Sequence, residues 1–438
     1  MPPRTLGIRR EDKNAWERRV PVTPDTVRRL VAEHGLAVRV ERFGRRVFPD
    51  SAFEAAGAVL VDDCFDADLV VAVKEIPAHL FRPGGAYLFF SHTIKGQPAN
   101  LPMLRRLVDQ RCTLLDYERV LDAQGRRLIF FSWFAGAAGM IDTLVAAGQR
   151  VRWLGHANPF EAIRPAHAYP DLEAACHALE AVGDRIRSEG LPPALCPFVV
   201  GIAGYGNVSQ GAQRVLGCLP VEAIEPGDLP RIRARAGEPR DRVFQVVFAE
   251  AHTVEPVEAG TPFVLEAYLR HPERYRSVFD RHLEHLDVLV NAVYWTAAHP
   301  RLVSLDLLRS RAVHGPPLRL QVIGDISCDI GGSVECCVKV MDSDAPCYVW
   351  DPVAGRARDG VEGPGVVMMA VDNLPCELPQ ESSEAFSRAL EPFLPALVRT
   401  DFDVPIGALT LPPEFRSALL LHRGAFPSEY RYMADFLR

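Results

Sequence analysis

Short, uninterrupted apolar runs alternate with amphipathic stretches along most of this chain. Residues 6–9, 37–41, 59–60, 69–73, 87–91 and 113–116 read as strands. Between the first two, Thr23-Pro24 offers an N-cap followed by proline at the first helical position, and Gly35 supplies the stop. A short helix is predicted near 52–56, ending at Gly57, and another over 101–110. Strands with no polar interruption suit burial on both faces, so the pattern predicts a parallel sheet covered by helices.

From Phe134 the residues turn small and helical, with Ala135, Gly136, Ala137, Ala138 and Gly139 leading into a helix over 140–147 that can join two domains. A further helix over 172–188 stops at Gly190. A second α/β region opens at Phe198, with later strands at 243–248, 288–292 and 320–323 and a long charged helix over 265–285. The stretch 381–398 is helical after the breaks at Pro375 and Pro379, and its position in the order returns it to the first domain. The expected fold is α/β: two Rossmann-like, doubly wound parallel-sheet domains with a cleft between them. Residues 1–136 with 377–438 form the substrate domain, and 137–376 form the dinucleotide-binding domain.

The second region carries the strongest local signal. The run Val199-Val200-Gly201-Ile202-Ala203 stops at Gly204-Tyr205-Gly206, and an amphipathic segment beginning Asn207-Val208 follows. Strand, tight glycine turn and helix N-terminus in that order suit close approach of backbone to a pyrophosphate, with N–H groups and a partial positive charge turned toward it. Gly204, Gly206, Asn207 and Val208 are the cofactor-binding candidates. The third glycine, Gly211, comes late, because Ser209 holds its usual place. An acidic residue about 20 positions on favours a free ribose 2′-hydroxyl, and Glu225 sits there. Arg231, Arg233 and Arg235 follow and can accept a 2′-phosphate instead, so NAD and NADP both stay open.

Composition narrows the classes. A net charge of −7 over 438 residues gives no basic footprint for nucleic acid or an anionic membrane. No apolar run approaches a membrane span, and Met1-Pro2-Pro3-Arg4 lacks an apolar signal region. The ten cysteines lack metal-site spacing and read as buried, reduced thiols, so no metal and a cytoplasmic location are expected.

In the first domain, polar residues follow successive strands: Lys74 and Glu75, His92, then Tyr117 and Glu118, with Arg19 in the loop before the first helix. Parallel strands place such ends on one rim, where open α/β sheets bind ligands. Each residue also has an ordinary reading as a solvated or ion-paired side chain.

The segment Arg9-Arg10-Glu11-Asp12-Lys13-Asn14-Ala15-Trp16-Glu17-Arg18-Arg19 with Pro21-Val22-Thr23-Pro24 resembles the opening of the lysine-forming saccharopine dehydrogenases and related alanine dehydrogenases. Phe89-Phe90-Ser91-His92-Thr93-Ile94-Lys95, the glycine segment, Gly324-Asp325-Ile326-Ser327 with Asp329 and Gly331-Gly332-Ser333, and Asp372-Asn373-Leu374-Pro375 extend the resemblance almost end to end. It is nearest to the lysine–ketoglutarate reductase part of bifunctional aminoadipic semialdehyde synthase, without the glutamate-forming dehydrogenase. Cys328 departs from the alanine of those relatives.

The resemblance implies reductive condensation of lysine with 2-oxoglutarate to saccharopine, using NADP or NAD. It implies Lys74 and His92 as the acid–base pair, with Glu75 and Glu118 beside them. Arg19, Arg127 and Lys13 would meet substrate carboxylates, although Arg127 also reads as a surface turn residue. The segment around Asn291 and Tyr294 would lie near the nicotinamide, and Asp325 and Asp372 would line the cleft. Asp325 has a second reading, as a cap for the Gly331-Gly332 turn. Small-molecule substrates are the expected partners, with a homo-oligomer and a separate glutamate-forming dehydrogenase chain as further possibilities. An opine-like or alanine-type dehydrogenase, or a catalytically silent dinucleotide-binding regulator, are the competing functions.

Overall fold

The computed structural model describes residues 4–316 and 318–438. Met1-Pro2-Pro3, read above as lacking a signal region, lie outside the described residues, as does Pro317. The chain divides into two compact units, Met1–Phe131 with Pro379–Arg438 and Ser132–Leu378.

The first unit is built on six parallel strands: β1 (Thr5–Ile8), β2 (Ala37–Glu41), β3 (Val59–Val61), β4 (Leu69–Val71), β5 (Ala86–Phe89) and β6 (Thr113–Asp116). Their order is β3-β2-β1-β4-β5-β6, and a short antiparallel strand, Leu419–Leu421, closes the β6 edge. Leu6, Ile8, Val40, Leu69, Val71 and Leu88 are fully buried, which is why these runs carry no polar alternation. Strand order reverses between β1 and β4, so the loops after these strands diverge and leave a crevice at the carboxyl edge. The helix Pro24–His34 ends at Gly35 in the left-handed conformation (φ 62°). The C-terminal segment is fastened to this unit through helix Pro379–Leu390, whose Ser383 and Ser387 hydroxyls accept from the backbone N–H of Val20 and Thr23, both at 3.0 Å.

The second unit opens with the long helix α1 (Ser132–Trp153). The strand β7 (Phe198–Ala203) leads through the glycine turn into α2 (Asn207–Leu216). Then come β8 (Val221–Ile224), β9 (Val243–Phe248), β10 (Val254–Pro256), β11 (Tyr275–Ser277), β12 (Val288–Asn291), β13 (Val322–Asp325), β14 (Cys347–Asp351), β15 (Arg356–Asp359) and β16 (Val366–Met369). The main sheet runs β15-β14-β16-β13-β12-β7-β9-β8, with β14 antiparallel to both neighbours. The sheets are therefore mixed at one edge rather than purely parallel. β15 is a polar edge strand, Arg356-Ala357-Arg358-Asp359, with no apolar run to announce it.

The long helix expected over 265–285 is not formed. Leu265–Arg270 is helical, Pro272 then ends the helix, and Tyr275–Ser277 pairs antiparallel with Val254–Pro256 before a short helix at Asp280–Leu283. Proline lacks the N–H that a continuing helix needs, and the strand partner lies too far away in sequence to be read locally. Among the described residues, no helix is long and apolar enough to cross a membrane. All ten cysteines are free and buried.

Candidate functional site

In the first unit the loop after β4 brings Glu75 between two cations. Its Oε2 accepts from Lys13 Nζ at 2.7 Å, and its Oε1 lies 2.8 Å from His92 Nδ1. Burial alone would raise this carboxyl, but His92 and Lys13 outweigh it and hold Glu75 down at about 2. Glu75 is thus ionised and fixes the His92 ring through one nitrogen. His92 itself has φ 48°, a backbone conformation that costs a non-glycine residue roughly 1–3 kcal/mol. Its ring also stacks on Phe90 at 6.1 Å. Lys74 is half-buried and, among the described residues, makes no ion pair. Glu118 faces Arg127 at 3.4 Å, and Arg127 also donates to the Glu118 carbonyl.

Two buried carboxylates that the sequence reading passed over hold this rim in place. Glu11, 2% exposed, accepts from the backbone N–H of Val73 at 2.5 Å and of Lys74 at 3.1 Å, so it anchors the loop that carries Lys74 and Glu75. Burial, with Glu17 nearby, pushes Glu11 up to about 7. Asp116, fully buried at the end of β6, accepts from the Ser91 N–H and hydroxyl and from the Glu118 N–H, joining the His92 loop to the Glu118 loop. Burial raises its carboxyl too. The one sequence signal for either is a carboxylate beside an uninterrupted apolar strand. Arg19 is 3% exposed, bonded at two nitrogens to Glu17 and laid 4.2 Å over the Phe131 ring. Its guanidinium is engaged within the fold.

In the second unit the glycine turn suits a phosphate. Gly204 has φ 98°, its N–H donates to the Phe248 carbonyl at 2.9 Å, and a Cβ there would lie 2.7 Å from the Ala292 carbonyl oxygen. A Cβ on Gly206 would meet nothing within 4 Å, so this position opens on space. α2 starts at Asn207, and the first N–H groups of a helix have no partners within it. The crevice beside the turn holds about 580 Å³ and is lined by Gly204, Tyr205, Gly206, Glu250, Ala292 and Tyr294 among others. The bare backbone, the open Gly206 and the helix start together fit a dinucleotide pyrophosphate. Gly211 serves a different end. A Cβ on it would overlap the Trp133 carbonyl, as one on Gly136 would overlap the Val208 carbonyl, so the late glycine lets α1 and α2 touch along their backbones.

The remaining candidates separate. Asn291, 1% exposed, donates to Asp325 and to Ser333, both at 2.8 Å. Asp325, 1% exposed and pushed by burial up to about 6, accepts from the Cys328 N–H at 3.1 Å. These bonds tie the ends of β12 and β13 to the turn before Gly331 and describe the turn-capping reading of Asp325. Tyr294 is 80% exposed, and Asp372 is exposed. Glu225 is exposed at the end of the edge strand β8, two places from the glycine strand. Arg233 is not available to a 2′-phosphate. It is bonded to Asp287 at 2.6 Å and to the carbonyls of His285 and Pro197, which precede β12 and β7 at the opposite end from the glycine turn. Arg231 pairs with Asp228 at 2.9 Å.

Comparison with known proteins agrees with this architecture. The family model described as alanine dehydrogenase/PNT, N-terminal domain, matches residues 7–138, and the corresponding C-terminal domain matches 249–427. An α-aminoadipic semialdehyde synthase of Arabidopsis thaliana is 35% identical over 98% of this chain and 41% of its own length. A saccharopine dehydrogenase [NAD(+), L-lysine-forming] of Neurospora crassa is 29% identical over 90% of this chain and 91% of its own. The chain therefore spans less than half of the first of these relatives and most of the second. A solved L-alanine dehydrogenase, 19% identical, shares the fold with a TM-score of 0.60 over 99% of this chain and all of that one. With the two family models together accounting for well over half of its residues, the chain belongs to the alanine dehydrogenase/PNT family.

Proposed function

We propose that this chain catalyses the NAD(P)H-dependent, reversible condensation of L-lysine with 2-oxoglutarate to saccharopine, an oxidoreduction at a CH–NH bond. The observation that carries the reading is the Lys13–Glu75–His92 chain at the switch point of the first unit, next to Lys74, which makes no ion pair among the described residues. Similarity over nearly the whole chain to proteins named for saccharopine and aminoadipic semialdehyde chemistry supports the substrates.

The side-chain amine of lysine attacks a keto carbon only when neutral, so a base must take its proton. The resulting carbinolamine loses water only with an acid at its oxygen. With Nδ1 held by Glu75, His92 has Nε2 for one of these transfers, and Lys74 is the partner for the other. The three substrate carboxylates call for cations. Arg127, 42% exposed, and Lys13, 44% exposed, are open to them, whereas Arg19 would act by holding the loop through Glu17. Gly204, Gly206, Asn207 and Val208 would hold a nicotinamide dinucleotide, which supplies the hydride when bound. The buried thiols suit a reducing compartment such as the cytoplasm, and a separate glutamate-forming dehydrogenase would consume the product.

The test supplies 2-oxoglutarate and reduced nucleotide with lysine, ornithine or ammonia in turn, following nucleotide oxidation and identifying the product by mass spectrometry. Lysine-dependent oxidation with saccharopine as product is expected. Turnover with ammonia alone would instead indicate an alanine-type dehydrogenase and overturn the substrate assignment.

A further inference from the structure

The order of strands in the second unit moves one role along the chain. A dinucleotide laid over a glycine turn places its adenosine ribose above the strand beside the glycine strand, on the side away from the switch point. Counting along the sequence assigns that strand to β8 and the ribose contact to Glu225. The sheet, however, is ordered β12-β7-β9-β8. β9 lies against β7, with Ala203 opposite Phe248, and the Gly204 N–H is bonded to the Phe248 carbonyl. Ala249 and then Glu250 follow this neighbour strand on the crevice wall, so Glu250 is the first acid there, and Glu225 is not among the lining residues.

Glu250 is half-buried, and its Oε1 lies 3.5 Å from the hydroxyl of Tyr205, the residue between the two turn glycines. A carboxylate is thus tied to the phosphate turn itself. Among the described residues, Arg301 is the one Lys or Arg lining the crevice; it donates to the Gly331 and Gly332 carbonyls and lies 5.3 Å over the Trp295 ring. Arg231 and Arg233 are paired elsewhere, as described above. Among the described residues lining the crevice, a 2′-phosphate would meet a carboxylate and no free Lys or Arg, whereas a ribose hydroxyl would find an acceptor; Arg235 is not among them.

We propose that Glu250, rather than Glu225, reads the adenosine ribose and makes this protein select NAD(H) over NADP(H). The inference rests on the dinucleotide reading above and deepens it. Like charges brought together across a binding surface disfavour association, so a preference of more than about tenfold in Kd is expected.

The experiment measures Kd for NADH and NADPH, and for ADP-ribose and its 2′-phosphate, by calorimetric titration of the full chain without substrates. Glu250→Gln, Glu250→Arg and Glu225→Gln are compared with the wild type, and a melting curve confirms that each is folded. Tighter binding of NADH and ADP-ribose by the wild type, a ratio relaxed in E250Q and reversed in E250R, supports the proposal. Equal or tighter binding of the 2′-phosphorylated ligands by the wild type overturns it. So does a ratio that moves in E225Q and not in E250Q. Absence of binding by all four ligands overturns the dinucleotide reading, and this inference with it.

Discussion

The two units share a frame and differ in what they place on its rim. Both sheets reverse their order beside a central strand, β1 in one and β7 in the other, the position at which open α/β sheets bind ligands. After β7 the chain turns within three residues on bare glycine and starts a helix. After β1 it runs through Arg9, Glu11, Glu17 and Arg19, four charged side chains each no more than 3% exposed, before helix Pro24–His34 begins. One strand is followed by a turn of nearly bare backbone, the other by a loop of charges that position one another. A common fold says little about chemistry until its loops are read residue by residue.

The comparison breaks first at the charged rim. Replacing His92 by Phe or Lys74 by Met should lower kcat for lysine-dependent turnover by about a hundredfold or more while leaving the Kd of the nucleotide unchanged. Initial-rate kinetics beside titration separates the two, and an unchanged kcat in both variants would remove the acid–base assignment. Next is the glycine turn. Ala at Gly204 meets the Ala292 carbonyl and a positive φ, so it should cost roughly 1–3 kcal/mol of stability together with nucleotide affinity. Ala at Gly206 meets open space, so melting should be unaltered while nucleotide affinity falls. Equal melting losses in the two variants would contradict the assigned geometry.

The smallest effect concerns Glu11. Its folded value of about 7 lies above the ordinary carboxyl value of 4.5, so the folded state holds a proton there that the unfolded state releases. This contribution is complete below about 4.5 and is lost as pH rises through 7. Glu75 runs the other way. Its value of about 2 gives a contribution present above the unfolded value and lost as pH falls toward 2. Thermal melts between pH 4.5 and 8 should therefore slope less steeply in Glu11→Gln than in the wild type, and an identical slope would exclude Glu11 as the source.

Much of the fold is legible because buried parallel strands are written as unbroken apolar runs, as at residues 69–71 and 198–203. The positions of Lys74, Glu75 and His92 just beyond strands are legible for the same reason. Four things are not. β15 is polar, so it carries no strand signal. The order of β8 and β9 in the sheet depends on pairing between distant segments, which no local window contains. Arg233 resembles a phosphate ligand until Asp287, distant in sequence, is seen to neutralise it. Glu11 and Asp116 escaped notice because their partners are backbone N–H groups, which every residue except proline has.

The paired glycines of α1 and α2 have a mechanical consequence. With Gly136 against the Val208 carbonyl and Gly211 against that of Trp133, the two rods meet backbone to backbone at these two points. They cannot slide or roll independently. Any shift of the turn at Gly204–Gly206 must carry the first half of Ser132–Trp153 with it, so this part of the second unit travels as a single beam.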